Sequence, residues 1–170
     1  MARNESSLVV SDAGPVIHLD EIGWLDLLND FERVLVPAQV WAEIQRHRPG
    51  LQPDAIPGLQ IVQVNRPPSP ELQALARSLS LDQGEFAALI LMQTTSAQLF
   101  LCDDSAARLA AESLRFHVHG TIGIVIRAIR QGQRSQQQVS ALLAELPQRS
   151  SLHISRDLLR RIIDTVSQAR

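Results

Sequence analysis

Short β-branched runs alternate along this chain with longer stretches in which apolar residues recur every three or four positions. "LVVSD" (residues 8–12) is a compact apolar run that ends in Ser-Asp before Ala-Gly-Pro, the pattern of a strand followed by a turn. From Val16 to Phe31 the spacing is helical with a break near Gly23, which predicts one or two short helices. "VLVP" (34–37) reads as a second strand, and Pro37 is placed to open the helix "AQVWAEIQRH". A Pro- and Gly-broken loop then leads to "LQIVQV" (59–64), a short strand suited to a sheet edge. "RPPSP" introduces a helix over 70–79. "SLDQGEFAALILMQTTSA" begins with Ser80, Asp82 and Glu85, a cap-rich start to a helix apolar on all sides and therefore buried. "QLFLC" (98–102) and "FHVHG" are strands around a helix over 106–114, and "TIGIVIRAIRQG" is a helix stopped at Gly132.

Strands that alternate with helices imply a parallel sheet covered on both faces. The expected architecture is a three-layer α/β sandwich around a central, mostly parallel sheet, with residues 8–132 forming the core unit. Beyond Gly132 the strand pattern stops. "QRSQQQ" reads as a short polar linker, followed by amphipathic helices over 139–146 and 156–167, the second capped by Ser155. Residues 133–170 are thus expected to be a helical extension of the same domain.

The 170 residues suffice for one domain with a sizeable core. The opening "MARNESS" lacks the apolar centre of a signal peptide, and no apolar run approaches membrane-spanning length. A lone cysteine, Cys102, fits a reducing compartment, so a cytoplasmic location is expected. All sixteen basic residues are arginine, and the net charge is −2. That sign would disfavour a nucleic-acid ligand if the acids were spread evenly.

The acids are not spread evenly. Functional groups of open parallel sheets gather beyond the carboxyl ends of the strands. Asp12 follows "LVVS", and Asp103 with Asp104 follows "LFLC". Glu43 and Glu85 lie on helices with apolar neighbours and can project toward the same crevice. Clustered carboxylates repel, and a hard divalent cation, Mg²⁺ or Mn²⁺, is the natural remedy. Each acid also has a local explanation: Asp12 and Asp104 as caps, Glu85 as a first-turn acid, Glu43 as a solvated helix residue. His117 and His119 share a strand face, a weaker candidate pair for a metal.

Taken in order, "VVSDAGPVIHL", "VPAQVWAEI", "DQGEFAALILM", "LCDDSAARLA" and "GTIGIVIRAIRQG" resemble the PIN-domain proteins, in particular the bacterial and archaeal branch related to VapC toxins of toxin–antitoxin pairs. The resemblance implies a metal-dependent ribonuclease with an acidic quartet, carried here by Asp12, Glu43, Glu85 and Asp104 on Mg²⁺ or Mn²⁺. Asp103 is counted with the metal ligands, with a supporting or capping role left open. Many members have aspartate at the position of Glu85, and Ser or Thr at that of Cys102.

Arg46, Arg127 and Arg130 are the candidate RNA-phosphate contacts, with the alternative of a solvated face. The hydroxyls of Ser11 and Thr121 either orient a ligand or bond local backbone. With four phenylalanines, two tryptophans and no tyrosine, an aromatic base-stacking platform is not expected. The resemblance further implies a homodimer and a small antitoxin partner, with Trp24 and Trp41 lining an interface or the core. The alternative reading is a PIN-fold module that binds nucleic acid or regulates without cutting.

Overall fold

The computed structural model describes residues 7–169, so the first six residues of the polar opening stretch lie outside the described residues. Five strands, β1 (Leu8–Ser11), β2 (Arg33–Pro37), β3 (Leu59–Val62), β4 (Leu99–Leu101) and β5 (His117–His119), form one sheet in the order β3-β2-β1-β4-β5. Every neighbouring pair is parallel. Because each parallel connection must cross a face of the sheet, helices cover both sides and the inner strands are buried on both faces. Val9, Val10, Val34, Val36, Phe100 and Leu101 are accordingly all buried. "LQIV" occupies the edge position that its mixed polarity predicts.

One face carries α1 (Ala13–Glu21), α2 (Ala38–His47), α6 (Thr121–Arg130), α7 (Gln136–Arg149) and α8 (Arg156–Gln168). The other carries α3 (Pro70–Leu79), α4 (Gln83–Thr94) and α5 (Ser105–Ser113) around Phe100 and Leu89. The two helical segments expected between Val16 and Phe31 are α1 and a 3₁₀ turn over Leu25–Asp30. They are separated by Gly23, whose φ of +73° ends the first and is adopted most readily by a residue without Cβ.

Three boundaries differ from the sequence expectation. Pro37 ends β2 and sits at the N-cap of α2 rather than in its first turn. Ser80, expected among the caps of α4, instead closes α3 in the left-handed region, and Asp82 with Glu85 forms the capping box. The expected linker "QRSQQQ" is half helix: Ser135 accepts from the Gln138 N–H while the Gln138 side chain accepts from that of Ser135, so the glutamines become the first turn of α7. Val139, Leu142, Leu143, Leu146, Leu159 and Val166 join the same cluster as β1, β2 and α6.

Phe100, fully buried in the middle of the sheet, is the largest wholly enclosed side chain. Phe100→Ala is expected to lower unfolding free energy by about 3–5 kcal/mol, measurable by urea denaturation of the purified chain.

Candidate functional site

Side chains at successive strand positions point to opposite faces, and the end of β4 uses this to separate two like charges. Asp104 turns toward the α4 face and caps α5, its Oδ1 accepting from the Ala107 N–H at 2.9 Å. Asp103 turns the other way. Its Oδ1 accepts the Thr121 N–H at 2.7 Å, and its Oδ2 accepts the Thr121 hydroxyl at 2.6 Å and His18 Nδ1 at 2.8 Å. These donors hold the Asp103 carboxyl below its usual range despite its burial. Gly120 completes the joint: a Cβ there would lie 2.7 Å from Asp103 Oδ1 and 2.9 Å from Arg108 Nη1, so only glycine admits the carboxylate so close to α6.

On the opposite side of the strand end the acids lack such support. Asp12 stands at the N-cap of α1, almost fully buried, yet makes no capping hydrogen bond. Among the described residues, its Oδ1 and His119 Nδ1 are the buried side-chain atoms left without a partner. Its Oδ2 receives only the weak Cys102 thiol at 3.7 Å. Burial first, and then Glu85, Glu43 and Asp82, push the Asp12 carboxyl up to about 7, although the Ala13 N–H pulls the other way. Glu85 is likewise raised to about 7 by burial, with Asp82 and Asp104 adding to it. Burial also pushes the Cys102 thiol well above its ordinary range, so it stays protonated.

α2 and α4 meet where Gly84 leaves room. A Cβ at that position would stand 3.2 Å from Val40 Cγ2 and 3.6 Å from Glu43 Oε2, so a side chain there would crowd the helix that carries Glu43. Asp12, Glu43, Glu85 and Asp104 therefore all act on one small region at the carboxyl end of the sheet. Asp82 joins them electrostatically, although its sequence position marks it only as a cap. Its capping box with Glu85 is the signal that could have placed it beside the acids.

Among the described residues, no group of three or more His, Cys, Asp or Glu side chains stands ready to hold a metal ion. The donor chemistry nevertheless fits one. A buried carboxylate oxygen without a hydrogen bond, beside a second acid whose carboxyl is likewise pushed up by burial, is a site where a hard cation can compete with protons. Glu85 and Asp104 each commit one oxygen to a helix cap and keep the other. Asp103 has both oxygens engaged, and its geometry is that of a support.

The other candidates separate. Arg127 pairs with Asp30 at 2.8 Å and lies over the Phe31 ring, so it is held by the fold. Arg134 pairs with Asp26 and covers Trp24, and Arg48 pairs with Asp20. Arg46 and Arg130 are exposed. Ser11 bonds the Asp12 carbonyl, a local role, whereas Thr121 orients Asp103. His117 is exposed and His119 is half-buried against α6, and neither belongs to a group of three metal-holding side chains among the described residues. Trp24 and Trp41 are partly buried and pack on the core.

Two outcomes follow for the metal-free protein. Between its ordinary value of 3.8 and the folded value of about 7, Asp12 holds a proton in the folded chain that the unfolded chain has released. Stability in EDTA should therefore fall as pH rises from 4 to 8, by up to about 1.4 kcal/mol per pH unit for each such proton, and Asp12→Asn should reduce the slope in thermal melts to the share left by Glu85. Asp103→Ala leaves buried donors unpaired and should cost about 3 kcal/mol. Asp104→Ala removes an exposed cap and should cost about 1 kcal/mol. Parallel urea titrations would rank the two.

No curated protein and no solved structure matches this chain. A protein-family model described as PIN domain, DUF3368, matches residues 8–168. The match spans the sheet, all four acids and the C-terminal helices, and the all-parallel sandwich is the architecture it calls for. The chain thus belongs to the PIN-domain family, whose members are generally nucleases.

Proposed function

We propose that the protein is a metal-dependent ribonuclease that hydrolyses RNA phosphodiester bonds through Asp12, Glu43, Glu85 and Asp104. The observation that carries this reading is the buried Asp12 carboxylate, raised to about 7 and with one oxygen unpartnered, at the strand end where Glu43, Glu85 and Asp104 also gather. A structural acid would be expected to find donors, as Asp103 does. Membership in a family of nucleases supports a phosphodiester as the substrate.

Mg²⁺ or Mn²⁺, when bound, supplies an activated water and offsets charge on the attacked phosphate. Asp12 and Glu85 would be the ligands at the buried side of such an ion, bound as carboxylates. Glu43 and Asp104 complete the oxygen donors from the helix and strand on either side. Asp103 anchors the strand end, so Asp104 is presented from a fixed backbone. Arg46, one turn beyond Glu43 on α2, and Arg130 on α6 are the arginines free to meet RNA phosphates.

The toxin role in a toxin–antitoxin pair is part of the same proposal. It is supported by an open groove of about 520 Å³ between α6 and α8, lined by Ile126, Ile129, Ile162 and Val166 and edged by Arg130 and Arg161. Apolar walls with a basic rim suit an acidic, amphipathic helix of a small antitoxin.

Purified protein is expected to cut single-stranded RNA with Mg²⁺ or Mn²⁺ and to stop in EDTA. Asp12→Asn and Glu85→Gln should each reduce the rate by about two orders of magnitude or more while remaining folded by circular dichroism. Cleavage that persists in EDTA or in Asp12→Asn would overturn the assignment, and a folded wild type that binds RNA without cutting would favour the non-catalytic module.

A further inference from the structure

A second cavity, of about 450 Å³, opens on the other side of the β4 end, between the β5–α6 corner and the segment that leads into α8. That volume lies in the range of small-ligand sites, ~300–1,000 Å³. Its walls are largely aliphatic, with Ile122 from α6 and Leu158 from α8 among them, while Ser105, Arg108, His119 and His153 supply polar edges. Asp103 also borders it, one residue from Asp104, so the cavity and the acidic cluster share a single turn of chain. We propose that this cavity holds one unpaired nucleobase of the RNA strand whose backbone lies across the acids, an inference that rests on the ribonuclease reading.

The chemistry of the lining selects a base over a phosphate. An anion would face the Asp103 carboxylate, and its charge would be set against aliphatic walls. A nucleobase brings two apolar faces and a polar edge, which match those walls and the imidazole, hydroxyl and guanidinium groups at the margin. Arg108 is already fixed, its Nη1 donating to the Cys102 carbonyl at 3.1 Å, so the rest of the guanidinium is presented in a set orientation.

His119 is the polar side chain of the lining that comes from the sheet itself. Its Nδ1 is buried and bonded to nothing. Native proteins pair almost all such atoms. Burial, and after it Arg127, Arg130, Arg108 and His117, hold this imidazole below its ordinary range. A neutral ring has one donor and one acceptor nitrogen, and can meet either kind of group on a base edge. Gly123 of α6 lies against the ring, where a Cβ would stand 3.5 Å from His119 Cβ and 3.8 Å from Nδ1, so the ring is packed between the helix and the cavity.

The test measures binding and cutting separately. Fluorescence anisotropy in EDTA would follow the full chain binding otherwise identical single-stranded RNAs that carry A, C, G, U or an abasic site at one central position. The wild type should favour at least one base over the abasic strand by about fivefold, the worth of a single hydrogen bond. His119→Phe, which keeps the ring but removes both nitrogens, should bring that ratio to about one, as should Leu158→Trp, which fills the cavity from an exposed position. Equal affinity for all five strands, no RNA binding, or a preference that survives both variants overturns the inference, even if wild type with Mg²⁺ cuts RNA. Base-selective binding that both variants abolish, in a wild type that does not cut with Mg²⁺ or Mn²⁺, upholds the cavity and overturns the nuclease reading instead.

Discussion

The carboxylate of Asp103 ties β4 to α1 and α6, and the candidate site depends on that tie. Its hydrogen bonds from His18 and Thr121 stabilise its charge, so it costs the fold little. The same joint determines where Asp104 leaves the strand, and Gly120 lets the two elements close on it. Across the strand the opposite condition holds. Asp12 is as enclosed as a core residue, yet its neighbours are other acids. One strand end thus carries a satisfied carboxylate on one face and an unsatisfied cluster on the other.

Parallel topology explains why the cluster forms at all. β1 lies at the centre of the sheet, with β2 and β4 on either side, so the segments that leave these three strands share one end of the molecule. Asp12 and Asp104 come directly from strand ends, while Glu43 and Glu85 arrive on helices that the Gly84 gap lets approach. Burial here acts against the charged state of Asp12 and Glu85, and a cation of the right hardness reverses the sign of that effect.

Much of the layout was legible because the signals were local. Proline and cap residues framed α3 and α4, β-branched runs marked the inner strands, and the mixed polarity of "LQIV" pointed to an edge. The polar face of α7 hid its first turn, because glutamines resemble a linker until Ser135 and Gln138 are seen to cap each other. The acids are candidates by their places after strands and by their order along the chain. His18 was missed because its partner is 85 residues away and nothing near it in sequence announces the bond. The partner of Arg127 was hidden for a similar reason. Its ion pair with Asp30 spans 97 residues, and a helix-face arginine looks the same whether it meets solvent or an acid.

The energetic isolation of Asp12 carries a lesson about inheritance. A mutation that neutralises this acid relieves the apoprotein of a buried charge, so loss of chemistry and gain of robustness come from the same change. Drift unopposed by a demand for that carboxylate would therefore run downhill toward a quieter, sturdier chain. That carboxylate stands here at a place where the fold alone would be better served by an amide.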